Sequence, residues 1–305
     1  MENQDYISVF EYEINVNPSL VSIPFCEKNI NESIYGIEFI NFSDIFNVYY
    51  NSTTPNLLAS FIRLAEKDNI ITLDNGNNNI EYNATSHLFY IINGNGLIQI
   101  DNENEKFVNQ GDILISSCFN SIKIKNIGEE ELQIYYINDS PLLNYLGSKA
   151  ERKIFKTTIY KNSFLIQKLN DLSNPNNNRK GILLSNKDTE KLGINTITPV
   201  LWALYNELPP KTIQKPHKHN SVALDLCIKC EDTENIYTLM GEEIDENGNI
   251  INPKKVYWKE GSMFITPPGL WHSHNNDGET YAYILPIQDA GLLLYQRILG
   301  IVLTK

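Results

Sequence analysis

Gly261-Ser262-Met263-Phe264-Ile265-Thr266-Pro267-Pro268-Gly269-Leu270-Trp271-His272-Ser273-His274-Asn275-Asn276 reads as a short apolar strand, a tight turn at Pro267-Pro268-Gly269 and a second strand. On that second strand His272 and His274 are two residues apart and share a face. The same spacing occurs earlier, in Pro216-His217-Lys218-His219. Four of the five histidines in 305 residues therefore sit in two His-X-His pairs, which random placement would almost never produce. With His272 on a strand beside His217 and His219, three imidazoles aim at one point inside a barrel. They leave open positions on a bound metal for a small molecule.

Outward from this stretch, short runs rich in Ile, Val, Tyr, Phe and Leu alternate with Gly, Asn, Asp and Pro turns. They cover residues 87–92, 96–100, 112–116, 122–125 and 132–137 in the first half. In the second half they cover 200–205, 222–228, 236–240, 256–258, 263–266 and 280–285. This predicts an all-β chain of sandwich or barrel type. The turns recur in order: Asn93-Gly94-Asn95-Gly96 and Gln110-Gly111-Asp112 in the first half, Glu260-Gly261-Ser262 in the second. The layout reads as an internal duplication of one antiparallel barrel unit. The polar stretch Ser173-Asn174-Pro175-Asn176-Asn177-Asn178-Arg179-Lys180 is the expected exposed connection. Residues 1–150 are then a first domain, 151–182 a linker and 183–305 a second domain. Helices are expected chiefly over 141–149 and 288–299.

Composition excludes several function classes. Twenty-five Lys and Arg against 37 Asp and Glu leave a formal charge of −12, without the basic surface that nucleic acid requires. Hydrophobic residues at 42% and charged residues at 20% describe a globular chain rather than a disordered one. The most apolar stretch, 291–304, is broken by Gln296 and Arg297, so no membrane span is expected. The acidic start lacks a basic and an apolar signal region, which makes the cytoplasm the expected compartment. Asn-X-Ser/Thr triplets such as Asn83-Ala84-Thr85 are expected by chance in so Asn-rich a chain. Four scattered cysteines predict reduced thiols. Cys227-Ile-Lys-Cys230 has redox or zinc spacing, but on a regular strand the two point to opposite faces and are ordinary strand residues.

The opening stretch fits the second cupin motif, Gly-x5-Pro-x-Gly-x2-His-x3-Asn, at every defined position. His217-Lys218-His219 fits the start of the first, His-x-His-x4-Glu, with Leu224 at the glutamate place and Asp225 one further. Ala223 and Trp271-His272-Ser273-His274-Asn275-Asn276 resemble the gentisate, salicylate and hydroxynaphthoate dioxygenases, which are bicupins with a three-histidine iron site. The resemblance is good from about 198 to 286 and general elsewhere. It implies two tandem cupin (double-stranded β-helix, jelly-roll) barrels, with His217, His219 and His272 holding a divalent metal, Fe(II). In those enzymes the occupied site lies in the first cupin, whereas here the motif is in the second. They also grip the substrate carboxylate with arginine, where Asp225 stands here. Arg297 is the one arginine of the C-terminal half beyond the linker, which leaves Lys215, Gln214 or the metal to hold a carboxylate.

In the first half, His87 falls at the cupin glutamate place, Ile80 and Tyr82 at the first two histidine places, and Ile122 at the last. This barrel is expected to be metal-free and to serve packing or dimerisation. His274 is open to three readings: a partner of a ligand, a substrate contact or a surface residue. Asp225 is equally open as a fourth ligand, an outer acceptor or a solvent-facing carboxylate. The tryptophans are expected to pack the barrel, with Trp271 beside a ligand as the functional exception. The implied activity is oxidative ring cleavage of a small anionic hydroxy-carboxylic acid by dioxygen, with His274 or Asp225 moving protons. Two alternatives stand beside it: an isomerase or lyase using the metal as a Lewis acid, and a non-catalytic ligand-binding bicupin. The apolar run Leu292-Leu293-Leu294-Tyr295 with Ile298-Leu299 predicts a homodimer or larger oligomer.

Overall fold

Four antiparallel sheets, paired face to face, build two barrels in the computed structural model, which describes residues 6–76, 79–172 and 179–304. In the first barrel a six-stranded sheet runs in the order Thr158–Tyr160, Ile113–Ser116, His87–Asn93, Leu132–Asn138, Leu58–Leu64 and Gly36–Ile40. It encloses an apolar core with the sheet of Ile70–Asp74, Ser121–Asn126, Asn95–Ile100 and Lys106–Asn109. In the second barrel the matching sheet is Glu27–Asn29, Ser262–Thr266, Ala223–Lys229, Ala282–Gln288, Trp202–Leu208 and Lys180–Leu184. Its facing sheet is Lys254–Tyr257, Ile236–Gly241, Trp271–Asn276, His217–His219 and Ile301–Leu303. The all-β expectation and the repeated layout both hold: His87 pairs with Ser116 as Ala223 pairs with Thr266.

The two six-stranded sheets pack back to back. Leu88, Tyr90, Ile115 and Tyr135 of the first meet Leu224, Leu226, Ile265 and Leu285 of the second in one buried cluster. Strands covered on both faces read as continuous apolar runs, which is why residues 87–92 and 222–228 stood out in the sequence. The outer strands have one face on a core and alternate instead, as in Ile236–Gly241 and Ser121–Asn126.

Each barrel borrows its edge strand. Glu27–Asn29, at the start of the chain, pairs with Ser262–Thr266 of the second barrel. Thr158–Tyr160, which precedes the second repeat, pairs with Ile113–Ser116 of the first. The exchange covers edges that would otherwise expose unpaired backbone groups. Residues 151–182, expected as a linker, thus contain Thr158–Tyr160, the helix Asn162–Asn170 and the start of Lys180–Leu184. Residues 173–178 of the expected connection lie outside the described residues.

The helices differ from expectation in length. They span Ser140–Tyr145 and Ala290–Tyr295, ending where Gly147 and Arg297 take a left-handed backbone. Gln288, placed in the second helix by periodicity, closes the strand Ala282–Gln288 instead. Cys227 and Cys230 do not face opposite sides. A bulge between Cys227 and Lys229 resets the alternation, and both thiols are buried in one cluster. Among the described residues, no helix is long and apolar enough to cross a membrane.

Candidate metal centre

His217 and His219 lie on the three-residue strand His217–His219, between Ile301–Leu303 and Trp271–Asn276. His217 is directly opposite His272, and cross-strand partners bring their side chains together. His219 reaches the same point from two residues on. The ring centroids of His217 and His272 are 4.1 Å apart, those of His219 and His272 4.8 Å, and those of His217 and His219 5.9 Å. One ring nitrogen from each of the three lies within 4.8 Å of the others, the one such group of three or more potential ligands among the described residues.

Hydrogen bonds orient two of these rings. His219 Nδ1 is 2.9 Å from the carbonyl oxygen of Ser221 and 3.1 Å from its hydroxyl, which itself donates to Gln288 Oε1 at 2.7 Å. His272 Nδ1 is 3.0 Å from the carbonyl oxygen of Leu270. A carbonyl only accepts, so in both rings the proton sits on Nδ1 and the lone pair on Nε2. His219 Nε2 is buried with no hydrogen-bond partner, an uncompensated polar atom of the kind that a bound cation satisfies. The turn 267–269 braces this arrangement: the Gly269 amide donates to the His219 carbonyl at 2.7 Å, tying one ligand strand to the entry of the other.

Burial drives the electrostatics. It pushes His217 and His272 well below the ordinary imidazole value, with their neighbouring imidazoles and Arg179 adding to the effect. His219 is lowered by burial too, and His274 falls to about 3. All four rings are neutral at pH 7, the form in which imidazole binds metal.

The triad opens on a cavity of about 180 Å³. Trp202, Leu204, Pro286, Ile301 and Leu303 form its apolar walls, while Arg179, Gln214, Asp225, His274 and Gln288 bring polar groups. His274 is buried, not on the surface. Its Nδ1 is 2.8 Å from the Thr238 hydroxyl, which receives a hydrogen bond from Trp258 Nε1 at 2.8 Å, and its ring centroid is 6.1 Å from that of His272. Asp225 is also buried, against the solvent-facing reading. Thr266 donates to its Oδ2 at 2.6 Å, and burial lifts its carboxyl to about 7. Trp271, on the neighbouring position, is covered by the Lys218 ammonium 4.7 Å from its ring centre. It packs outside the walls of the cavity.

Arg179 corrects the expectation that no arginine serves this site. It stands at the end of the stretch read as an exposed connection, yet it lines the cavity, with Nη1 3.0 Å from His217 Nδ1 and Nη2 donating to the Lys215 carbonyl. Its only sequence signal was its position just before the apolar run 181–184, which becomes the strand Lys180–Leu184. Arg297 lies over the exposed Tyr295 ring instead.

The first barrel fills the corresponding space with side chains. Ile122 pairs with Ile100 where His272 pairs with Met240, and it is fully buried beside Phe119 and Tyr136. His87 Nδ1 is 2.8 Å from the Tyr136 hydroxyl, its ring centroid 4.4 Å from that of Phe119, and burial lowers it to about 3.

No protein-family model matches the sequence, and no curated protein matches it. Solved structures match the fold. A salicylate 1,2-dioxygenase from Pseudoaminobacter salicylatoxidans, as a tryptophan-to-tyrosine variant in complex with gentisate, superposes with a TM-score of 0.69 at 10% identity. That match covers 95% of this chain and 88% of the other. An alanine-to-histidine variant gives 0.67 at 10% identity over 99% of this chain and 95% of that one. A second structure of the tryptophan-to-tyrosine variant gives 0.65 at 11% identity over 87% of this chain and 80% of that one. With two duplicated antiparallel barrels and this match along nearly the whole chain, the protein has the bicupin fold of the salicylate 1,2-dioxygenase structures.

Proposed function

We propose that this chain is a metal-dependent bicupin dioxygenase of small aromatic hydroxy acids, with His217, His219 and His272 as the ligands of Fe(II). One observation carries the reading: three neutral imidazoles converge on a small cavity, two with Nε2 lone pairs freed by carbonyl contacts and one of those nitrogens unpartnered. The fold adds support, since its solved examples include a salicylate 1,2-dioxygenase in complex with gentisate. Bound there, the metal supplies the Lewis acidity and redox chemistry that no side chain provides.

The chain's own residues then bind and orient. A cavity of about 180 Å³ suits a single-ring acid, being close to the roughly 150 Å³ that holds one benzene. Trp202, Leu204 and Pro286 exclude water from the ring. Arg179 offers its planar guanidinium to the carboxylate. Asp225, with Oδ2 engaged by Thr266, offers Oδ1 to take and return the proton of a ring hydroxyl, and His274, held by Thr238, lines the same cavity. The first barrel is a packing module. The second barrel, with Arg179 just ahead of its strand Lys180–Leu184, carries the chemistry.

Protein loaded anaerobically with Fe(II) should show a new visible band with gentisate or salicylate and should consume oxygen when air is admitted. Arg179→Gln should raise KM for such acids roughly 10- to 100-fold, the cost of a charge-assisted contact. Metal-loaded protein with neither band nor oxygen uptake across a panel of hydroxy acids would transfer the site to Lewis-acid chemistry.

We further propose self-association. Tyr295 and Ile298 of the C-terminal run are exposed, although Leu292 folds back on the inter-barrel core. The N-terminal arm adds Tyr6, Val9, Phe10, Ile14 and Leu20, all exposed. Sedimentation at micromolar concentration should give a mass of at least two chains.

A further inference from the structure

Cys227 and Cys230 form a pair to which the metal chemistry assigns no role. On a regular strand they would point apart. Here Cys227 is opposite Ile284 and Lys229 is opposite Tyr283, so Ile228 is the extra residue of a β-bulge. Beyond it the alternation is reset: Lys229 is exposed, while Cys227 and Cys230 are both buried. The two join one apolar cluster with Trp258 and Phe264, whose Trp258 ring packs against that of His274. Both side chains lie in that one cluster, and each shifts the titration of the other. Cys26 and Cys118 lie outside this cluster, and all four cysteines are free.

We propose that Cys227 and Cys230 are a redox modification site, closing reversibly to an intrachain disulfide under hydroperoxide and reopening under a dithiol. Cys230 is the attacking sulfur. It sits where the strand ends, its Sγ 3.5 Å from the Asp232 carbonyl oxygen, and the Cys227 thiol holds it below the ordinary thiol value. Burial raises Cys227, which serves as the resolving thiol. The Cys230 thiolate attacks one peroxide oxygen, the O–O bond breaks, and the departing oxide takes a proton to leave as water or alcohol. The resulting sulfenic acid is attacked by the Cys227 sulfur, the S–O bond breaks and water leaves with the Cys227 proton. Two sulfurs are oxidised by two electrons in all, and one peroxide bond is reduced.

The test uses the full-length protein, freed of reductant and treated with equimolar hydrogen peroxide. Thiols are counted after denaturation, and peptides are mapped with and without dithiothreitol. The count should fall from four to two. The peptide holding residues 227–230 should be lighter by about 2 Da and regain that mass on reduction. Cys227→Ala should leave a Cys230 sulfenic acid that dimedone traps, and Cys230→Ala should lose no thiol pair. Cys227 and Cys230 found still reduced while Cys26 or Cys118 is oxidised would overturn the proposal. So would a thiol count that stays at four, or a disulfide between chains.

Discussion

His219 is the residue on which the site turns, because its Nε2 is buried without a partner and its Nδ1 is committed to Ser221. His219→Ala should abolish bound metal, since two imidazoles hold a divalent ion poorly. His87→Ala should leave metal stoichiometry unaltered while destabilising the first barrel by about 2 kcal/mol or more through the cavity it opens. Metal analysis of both variants checks this, and equal loss in the two would refute the division of roles between the barrels. Asp225 carries a second prediction. Its carboxyl titrates near 7 in the folded chain against an ordinary value of 3.8. The folded protein therefore keeps a proton that the unfolded chain releases, and the stability this confers at low pH is lost as pH rises through about 7. Metal-free Asp225→Asn escapes that loss. It should melt above wild type at pH 8, by on the order of a few kcal/mol, with the gap closing towards pH 4. Asp139, lifted to about 6 by burial in the first barrel, adds the same trend to both proteins and cancels in their difference. A variant that melts below wild type at pH 8 would show that the buried carboxylate is stabilised by partners it does not have here.

The elements hold these residues through one turn and one very short strand. Gly269 has φ +82°, and nothing lies within 4 Å of where a Cβ would stand. Replacement therefore meets no clash, only the left-handed backbone that costs a side chain roughly 1–2 kcal/mol. Gly269→Ala should lower Tm by about 2–4 °C or more. Because its amide is bonded to the His219 carbonyl, it should also weaken metal binding. Thermal melts and metal titration measure the two effects together, and an unchanged metal affinity would mean that the ligands are set without this tie. The turn was legible in the letters because proline and glycine act locally. The left-handed position of Arg297 and the strand ending at Gln288 were not, since a helical period of apolar residues runs through both.

In the whole molecule, stability is shared across the repeat by exchange of edge strands. Glu27–Asn29 completes the sheet of the second barrel, and Ile30 follows it into the inter-barrel core, its amide bonded to the Gly261 carbonyl at 3.0 Å. Deleting residues 1–30 removes no candidate ligand, yet it uncovers the edge of Ser262–Thr266 and takes a buried isoleucine from the core. The truncated protein should melt lower, aggregate more readily and bind metal substoichiometrically. Circular dichroism and metal analysis check this, and a truncated chain as stable and as fully loaded as the intact one would show the borrowed strand to be dispensable.

The sequence alone determined what local periodicity encodes. Two-residue spacing puts each His-X-His pair on one face of a strand, the Pro267-Pro268-Gly269 turn leads into His272, and runs buried on both faces announce themselves as continuous apolar letters. The duplicated barrel layout followed from repeating those signals in order, and the cupin resemblance from the motif letters around them. Tertiary structure alone decided what depends on partners far along the chain. Arg179 reaches His217 because Lys180–Leu184 pairs with Trp202–Leu208 at the cavity wall. Asp225 is buried because its strand turns it into the interior of its own barrel, against Thr266, while Leu224 and Leu226 face the other barrel. Cys227 and Cys230 meet because one unpaired residue turns the strand, a shift that register across two strands sets and that no single run of letters shows.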